Sequence, residues 1–238
     1  MTNDKNNPLW TVMGLLFRSH PWHGVPLGPD APNTVTAYIE MTPADTCKYE
    51  LDKVTGIMKM DRPQLYSSQC PVLYGLMPQT YCAEQIGAFC EQQAGIEGIQ
   101  GDGDPLDICV LSEKHIARGN ILMRCKPIGG LRMIDGNEAD DKIIAVMEGD
   151  PAYERWNDVS DCPASMINRL RHYFLTYKQG PDTPQQVCQI THIYGREEAF
   201  EVIRHSVDDY NHHYAGLQEL LEQALQVDEF PRGMFRSK

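Results

Sequence analysis

A chain of 238 residues, 42% apolar and 23% charged, can fill one sizeable core and is too apolar for extended disorder. With 21 basic against 33 acidic residues its formal charge is −12, which repels nucleic acid and anionic lipid and excludes both as main partners. No run approaches the roughly 20 apolar residues of a membrane span, and the start Met1-Thr-Asn-Asp-Lys-Asn-Asn has no secretory h-region, so the expected setting is cytoplasmic.

Residues 1–33 read as an irregular arm, punctuated by Pro8, Pro21, Pro26, Pro29 and Pro32. Within it His20-Pro-Trp-His23 has a spacing that could suit zinc, but no Cys or His pair elsewhere completes such a site. The eight cysteines are scattered without a C-x-x-C and are expected as reduced thiols. From Val35 to about Val146 short apolar segments alternate with turn chemistry. Strands are predicted over Val35–Glu40, Cys47–Asp52, Ile57–Asp61, Ile108–Leu111, Ile121–Lys126 and Ile143–Met147. Asp52-Lys-Val-Thr-Gly56 suits a hairpin connection. Residues 82–100 carry few apolar anchors and are expected to form a surface insertion.

The remainder turns helical. Met166, Ile167, Leu170, Tyr173, Phe174 and Tyr177 recur at three-and-four spacing behind start signals at Asp161 and Pro163. Val187–Ile193 reads as one more strand, and Phe200, Ile203, Val207, Tyr210, Tyr214 and Leu217 as a second helix. Strands followed by helices predict an α+β fold, a small barrel or strongly bent sheet with flanking helices. One domain spans 34–238. The βα alternation of a Rossmann fold and a G-x-x-x-x-G-K-[ST] loop are both absent.

The informative stretch is Gly101-Asp102-Gly-Asp104-Pro-Leu-Asp107. Three carboxylates within six residues repel one another unless cations hold them, and oxygen-only donors suit a hard divalent ion such as Mg²⁺. Alone, the stretch could equally be a solvated acidic turn. An EF-hand is disfavoured because its sixth loop position, which needs glycine, is Asp107. A second acidic run, Asp135-Gly-Asn-Glu138-Ala-Asp140-Asp141-Lys142, lies between two predicted strands. Two such loops at neighbouring strand ends can converge on several metals, an arrangement used in phosphoryl hydrolysis.

At these residues the chain resembles the family I soluble inorganic pyrophosphatases. Asp102-Gly-Asp104-Pro-Leu-Asp107 fits the D-x-D-P-x-D signature of that family. Around it, in order, stand Glu40, Lys48-Tyr-Glu50-Leu-Asp52-Lys53, Asp61-Arg62, Tyr74-Gly75, Asp135, Asp140-Asp141-Lys142 and Tyr177-Lys178. His20-Pro-Trp-His and Leu27-Gly-Pro-Asp resemble the branch with a longer N-terminus. The resemblance implies a small OB-like β-barrel with helices outside and Mg²⁺-dependent hydrolysis of pyrophosphate. It implies that Asp102, Asp107 and Asp140 ligate an activating metal pair, that Glu40 and Asp135 hold further Mg²⁺, and that Asp104 accepts a proton from the attacking water. Glu50 would stand one step behind the ligands, and Lys48, Arg62, Tyr74, Lys142, Tyr177 and Lys178 would contact phosphate. It also implies a homo-oligomer. Cys70, where the family often has a second tyrosine, and Gly136, where an acid is common, depart from the pattern.

Taken singly these residues have plainer readings: Lys48 and Lys53 on a solvated strand face, Tyr74 and Tyr177 as core or rim aromatics, Arg62 at the surface. Two rival functions remain at this level. A two-metal phosphatase or nuclease would act on another substrate, although the −12 charge opposes long nucleic acid. An inactive cation-binding module would have lost the basic residues that are still present.

Overall fold

The computed structural model describes residues 19–180, 182 and 188–214. In chain order the strands are β1 (Val35–Met41), β2 (Cys47–Leu51), β3 (Met58–Pro63), β4 (Leu73–Leu76), β5 (Gln100–Gly101), β6 (Asp107–Leu111), β7 (Ile121–Asp135), β8 (Glu138–Ala139), β9 (Lys142–Met147) and β10 (Cys188–Gly195). Among the described residues the helices are α1 (Glu84–Ala94), α2 (Ala164–Thr176) and α3 (Arg196–His213). The α+β expectation holds.

β1 pairs antiparallel with β4, β4 antiparallel with β6, and β6 parallel with β9. β9 then pairs antiparallel with β7, and β7 antiparallel with β1, so the pairing returns to its starting strand. Side-chain alternation explains why β6 and β9 are apolar beyond their first residues, Asp107 and Lys142. Ile108 and Val110 of β6, with Ile143 and Ala145 of β9, join a core that includes Ile86 and Cys90 of α1 and Val202 and Ile203 of α3. Cys109 and Leu111, with Ile144 and Val146, face the opposite core, which holds Ile167, Leu170 and Phe174 of α2. A strand buried on both faces has no polar face to show. β2 and β3 form a separate hairpin closed at Asp52 and Gly56, as their turn chemistry predicts.

Several local readings need correction. β4 has only four residues and was not predicted. β7 runs on to Asp135 instead of ending at Lys126, because the pairing with β9 absorbs Pro127-Ile-Gly-Gly130 with a register shift between Pro127 and Gly129. The expected surface insertion contains α1, whose Ile86 and Cys90 are fully buried. Those two anchors are four residues apart, one helical turn, and apart from Ala88 the exposed positions are Glu or Gln, which hides the period in the sequence. Val187 and Leu217, expected in the last strand and helix, lie outside the described residues.

The described part of the arm is packed down. The Trp22 indole N–H donates to the Thr80 carbonyl at 2.8 Å, and His23 Nδ1 lies 2.9 Å from the Tyr210 hydroxyl. His20 Nδ1 accepts the Trp22 backbone N–H, while its Nε2 meets the Lys53 carbonyl at 3.2 Å. Both His20 nitrogens are therefore engaged with the protein, not disposed as zinc ligands. No helix among the described residues is long and apolar enough to cross a membrane.

Asp209 of α3 caps α1. Its carboxylate accepts the backbone N–H groups of Ala83, Gln85 and Ile86 at 2.9, 3.0 and 3.1 Å. Three donors at a helix start thus depend on one buried side chain. Asp209→Ala should cost about 1–3 kcal/mol of unfolding free energy, read as a lower urea midpoint with an unchanged slope. An unaltered midpoint would show that α1 does not depend on this cap.

Candidate active site

Strand ends bring the acidic runs together. In the parallel β6–β9 pair Asp107 stands opposite Lys142, the first residues of their strands. The buried Lys142 ammonium donates to both Asp107 and Asp140. The Tyr74 hydroxyl on β4 donates to Asp107. Asp135 ends β7 and accepts from Lys178, which follows Tyr177 at the end of α2. Glu40 on β1 accepts the Leu51 backbone N–H at 2.6 Å, joining the hairpin to the sheet. Asp102 accepts the Asp104 backbone N–H at 2.9 Å. The loop needs its glycines. Gly103 has φ +73°, and a Cβ on Gly101 would stand 2.3 Å from the Cys82 carbonyl oxygen.

These groups surround a cavity of about 220 Å³. It is lined by eight carboxylates (Glu40, Glu50, Asp102, Asp104, Asp107, Asp135, Glu138, Asp140) and four lysines (Lys48, Lys53, Lys142, Lys178), so acid is in twofold excess. The electrostatics record that excess. Burial, with Asp140 and Asp107 nearby, pushes the Asp102 carboxyl up to about 8. Burial also pushes Glu40 up to about 8, with Asp107 and Glu50 adding to it. Asp140 is raised, mainly by burial. Burial alone would lower the Lys142 pKa, but Asp107 and Asp140 reverse the effect and hold the ammonium charged. Burial likewise opposes ionisation of Asp135, yet Lys178 holds it below the usual carboxylate range.

Among the described residues no three His, Cys, Asp or Glu side chains stand ready to hold one metal ion. The oxygens of Asp107, Asp135 and Asp140 are instead engaged by Lys142 and Lys178. The donor set still fits a hard cation: the lining is rich in carboxylates, without His or Cys, and carries more negative charge than its lysines balance.

A sequence model of the family described as inorganic pyrophosphatase matches residues 37–211. The chain belongs to this family. An inorganic pyrophosphatase of Chlamydia trachomatis serovar D is 52% identical over 196 residues, spanning 81% of this chain and 94% of the relative. Soluble inorganic pyrophosphatase 2 of Chlamydomonas reinhardtii is 36% identical, spanning 82% and 91%. The Thermus thermophilus inorganic pyrophosphatase structure superposes with a TM-score of 0.68 at 28% identity, covering 82% of this chain and 99% of its own. The type I enzyme of Toxoplasma gondii gives 0.70 at 26%, covering 81% and 88%.

Of the site residues that the pyrophosphatase resemblance marks, Glu40, Lys48, Glu50, Tyr74, Asp102, Asp104, Asp107, Asp135, Asp140, Lys142, Tyr177 and Lys178 all line the cavity. Arg62 does not. It sits opposite Lys48 on the hairpin, and its guanidinium bonds to Asp61. Two lining residues were missed. Lys53, read as a solvated strand residue, pairs with Asp104, and Glu138 belongs to the second acidic run but received no role. The signal for Lys53 was present, since it closes Lys48-Tyr-Glu-Leu-Asp-Lys53 inside the hairpin turn.

Lys142 is the internal counter-charge of this cluster. Lys142→Met should leave Asp107 and Asp140 facing each other without it and cost about 3–5 kcal/mol, the scale for breaking a buried ion pair. Thermal unfolding should show the loss, and millimolar Mg²⁺ should return part of it. A melting temperature indifferent to both changes would mean that the cluster is not held by positive charge.

Proposed function

We propose that this cleft hydrolyses inorganic pyrophosphate to two phosphates and that Mg²⁺ is its cofactor. The observation that carries the reading is the twofold excess of carboxylates over lysines in a cavity of this family. An anionic substrate cannot enter such a site unless cations accompany it. Bound Mg²⁺ would neutralise the substrate and acidify a water toward neutrality. Asp102, Asp107 and Asp140 would be its direct ligands, with Glu40 and Asp135 holding further ions and Glu50 behind them. Asp104, half exposed at the cavity edge and paired with Lys53, would release that lysine and accept the proton of the attacking water. Lys48, Lys142 and Lys178 would bind phosphate oxygens as point charges, with the Tyr74 and Tyr177 hydroxyls orienting them. Arg62 would join them by exchanging Asp61 for phosphate.

The remaining proposals concern setting and shape. The ring of paired strands supports an OB-like barrel with the cleft at its mouth. Residues 34–238 would be one catalytic domain preceded by the arm. The eight free cysteines suit a reducing cytoplasm. The exposed Val54, Ile57 and Met60 on the hairpin support a homo-oligomer.

The test is phosphate release from pyrophosphate, nucleotides and sugar phosphates, with Mg²⁺ and with EDTA. Pyrophosphate should be hydrolysed only with metal, and Ca²⁺ should substitute poorly. Full turnover after exhaustive chelation would sink the reading, and a preference for another phosphate ester would give it to the rival phosphatase. Asp104→Asn should lower kcat about 10²–10⁴-fold with little change in Mg²⁺ affinity. Asp102→Asn should weaken Mg²⁺ binding, with rate partly recovered by excess metal. Equal rescue of both variants would make Asp104 a ligand and not a base.

A further inference from the structure

Strand alternation sends the residues at the start of β9 to opposite sides. Asp140 and Lys142 line the cleft, while Asp141 between them points away and its side chain is 0% exposed. There it meets Arg132 of β7, also 0% exposed, whose Nη1 lies 2.7 Å from Asp141 Oδ2. The Tyr194 hydroxyl of β10 donates to the same oxygen at 3.1 Å. Arg132 Nη2 donates to Glu198 of α3 at 2.8 Å, and the guanidinium lies over the rings of Phe89 and Tyr194 at 5.1 and 5.0 Å. A Cβ on Gly130, paired with Tyr194, would stand 2.4 Å from the Tyr194 ring, so glycine leaves that ring its seat.

This pair is a poor device for stability. Arg132 Nε and Asp141 Oδ1 find no hydrogen-bond partner among the described residues, and incompletely satisfied buried ion pairs are commonly matched or exceeded by apolar replacements. What it does supply is a fixed point. It ties two strands and two helices to one peptide just before β9, whose two neighbours carry opposite charges into the cleft. Asp140 is drawn to Lys142 and repelled by Asp107, so without a fixed backbone its carboxylate would turn with whichever charge prevailed.

We propose that Arg132 and Asp141 are positioning residues: their ion pair, steadied by Tyr194 and Glu198, sets the spacing between the Asp140 carboxylate and the Lys142 ammonium. The inference rests on the pyrophosphatase reading of the cleft. Neither residue touches substrate, so their effect passes through Asp140 and Lys142.

The test uses the full chain with two variants, Arg132→Met/Asp141→Leu and Tyr194→Phe. The first removes both charges together, and the second removes only the hydroxyl that steadies Asp141. Melting temperature, Mg²⁺ binding by calorimetry without substrate, and kcat and KM for pyrophosphate are measured for each. The double variant should melt close to the parent, yet bind Mg²⁺ several-fold more weakly and lose roughly 10- to 100-fold in kcat, the scale of a misplaced group. Tyr194→Phe should show the same pattern, smaller, with an unchanged melting temperature. If the double variant does not fold, Tyr194→Phe decides alone. Parent-like Mg²⁺ binding and kcat in every folded variant would overturn the inference. An inactive parent protein would instead overturn the pyrophosphatase reading, while the calorimetry would still report on the positioning.

Discussion

Mutual repulsion among carboxylates is the constraint around which the rest of the chain is arranged. In a desolvated setting Asp140 and Asp107 raise the proton affinity of Asp102, and Asp107 that of Asp140. A fold that concentrates them needs rigid carriers and internal counter-charge. The carriers are the ends of strands buried on both faces, which cannot shift without opening two cores. The counter-charge is Lys142, seated between Asp107 and Asp140 and lying 5.6 Å from the centre of the Phe174 ring. That lysine compensates only part of the negative charge. The remainder is the driving force that the proposed chemistry uses, because a polyanion and its cations can complete together what neither could alone.

The same balance separates the rival functions. A nuclease cleft must be open along a backbone and favour a polyanion on its own, whereas this cavity of about 220 Å³ is walled with excess acid. A retired cation-binding module would have no use for Lys48, Lys142, Tyr177 and Lys178 all facing the same space. Tyr177 is held there by its stack on Tyr173 at 5.3 Å, and burial pushes its hydroxyl up to about 12, which keeps it a donor. Donors fixed in advance around a small acidic cavity fit a compact, highly charged anion better than an extended one.

What the sequence disclosed followed from physical signals of differing strength. The carboxylate runs were legible because close-set acids are costly without a purpose, and the hairpin was legible from Asp52 and Gly56. β6 and β9 were legible because strands covered on both sides are continuously apolar. β4 was not, since four residues give no period to detect, and its Tyr74 was placed by resemblance alone. The length of β7 was hidden by Pro127 and the two glycines, which read as a break and are accommodated as an irregularity in the ladder. Arg62 was assigned from motif order; it stands opposite the cavity-lining Lys48, and order does not say that its guanidinium is taken up by the neighbouring Asp61. Lys53 was lost for the complementary reason, because a lysine near a turn is usually solvated.

The misread segment at 82–100 shows how such errors can conceal function. Asp209 holds the start of α1 through Ala83, and the adjacent Cys82 backbone bonds in both directions with the signature loop. Cys82 N–H donates to the Asp104 carbonyl at 2.9 Å, and Gly103 N–H donates to the Cys82 carbonyl at 3.0 Å. The approach of Gly101 to that same carbonyl leaves no room for a side chain. The loop bearing Asp102 and Asp104 is therefore clamped to Cys82, immediately ahead of a helix that is itself buried through Ile86 and Cys90. Behind the other acidic run, Arg132 reaches from Asp141 to the ring of Phe89 on α1 and to Glu198 on α3. Both halves of the carboxylate cluster thus lean on the same pair of helices. A disturbance of α1 would reach Asp102 and Asp140 together, although nothing in their local sequence connects them.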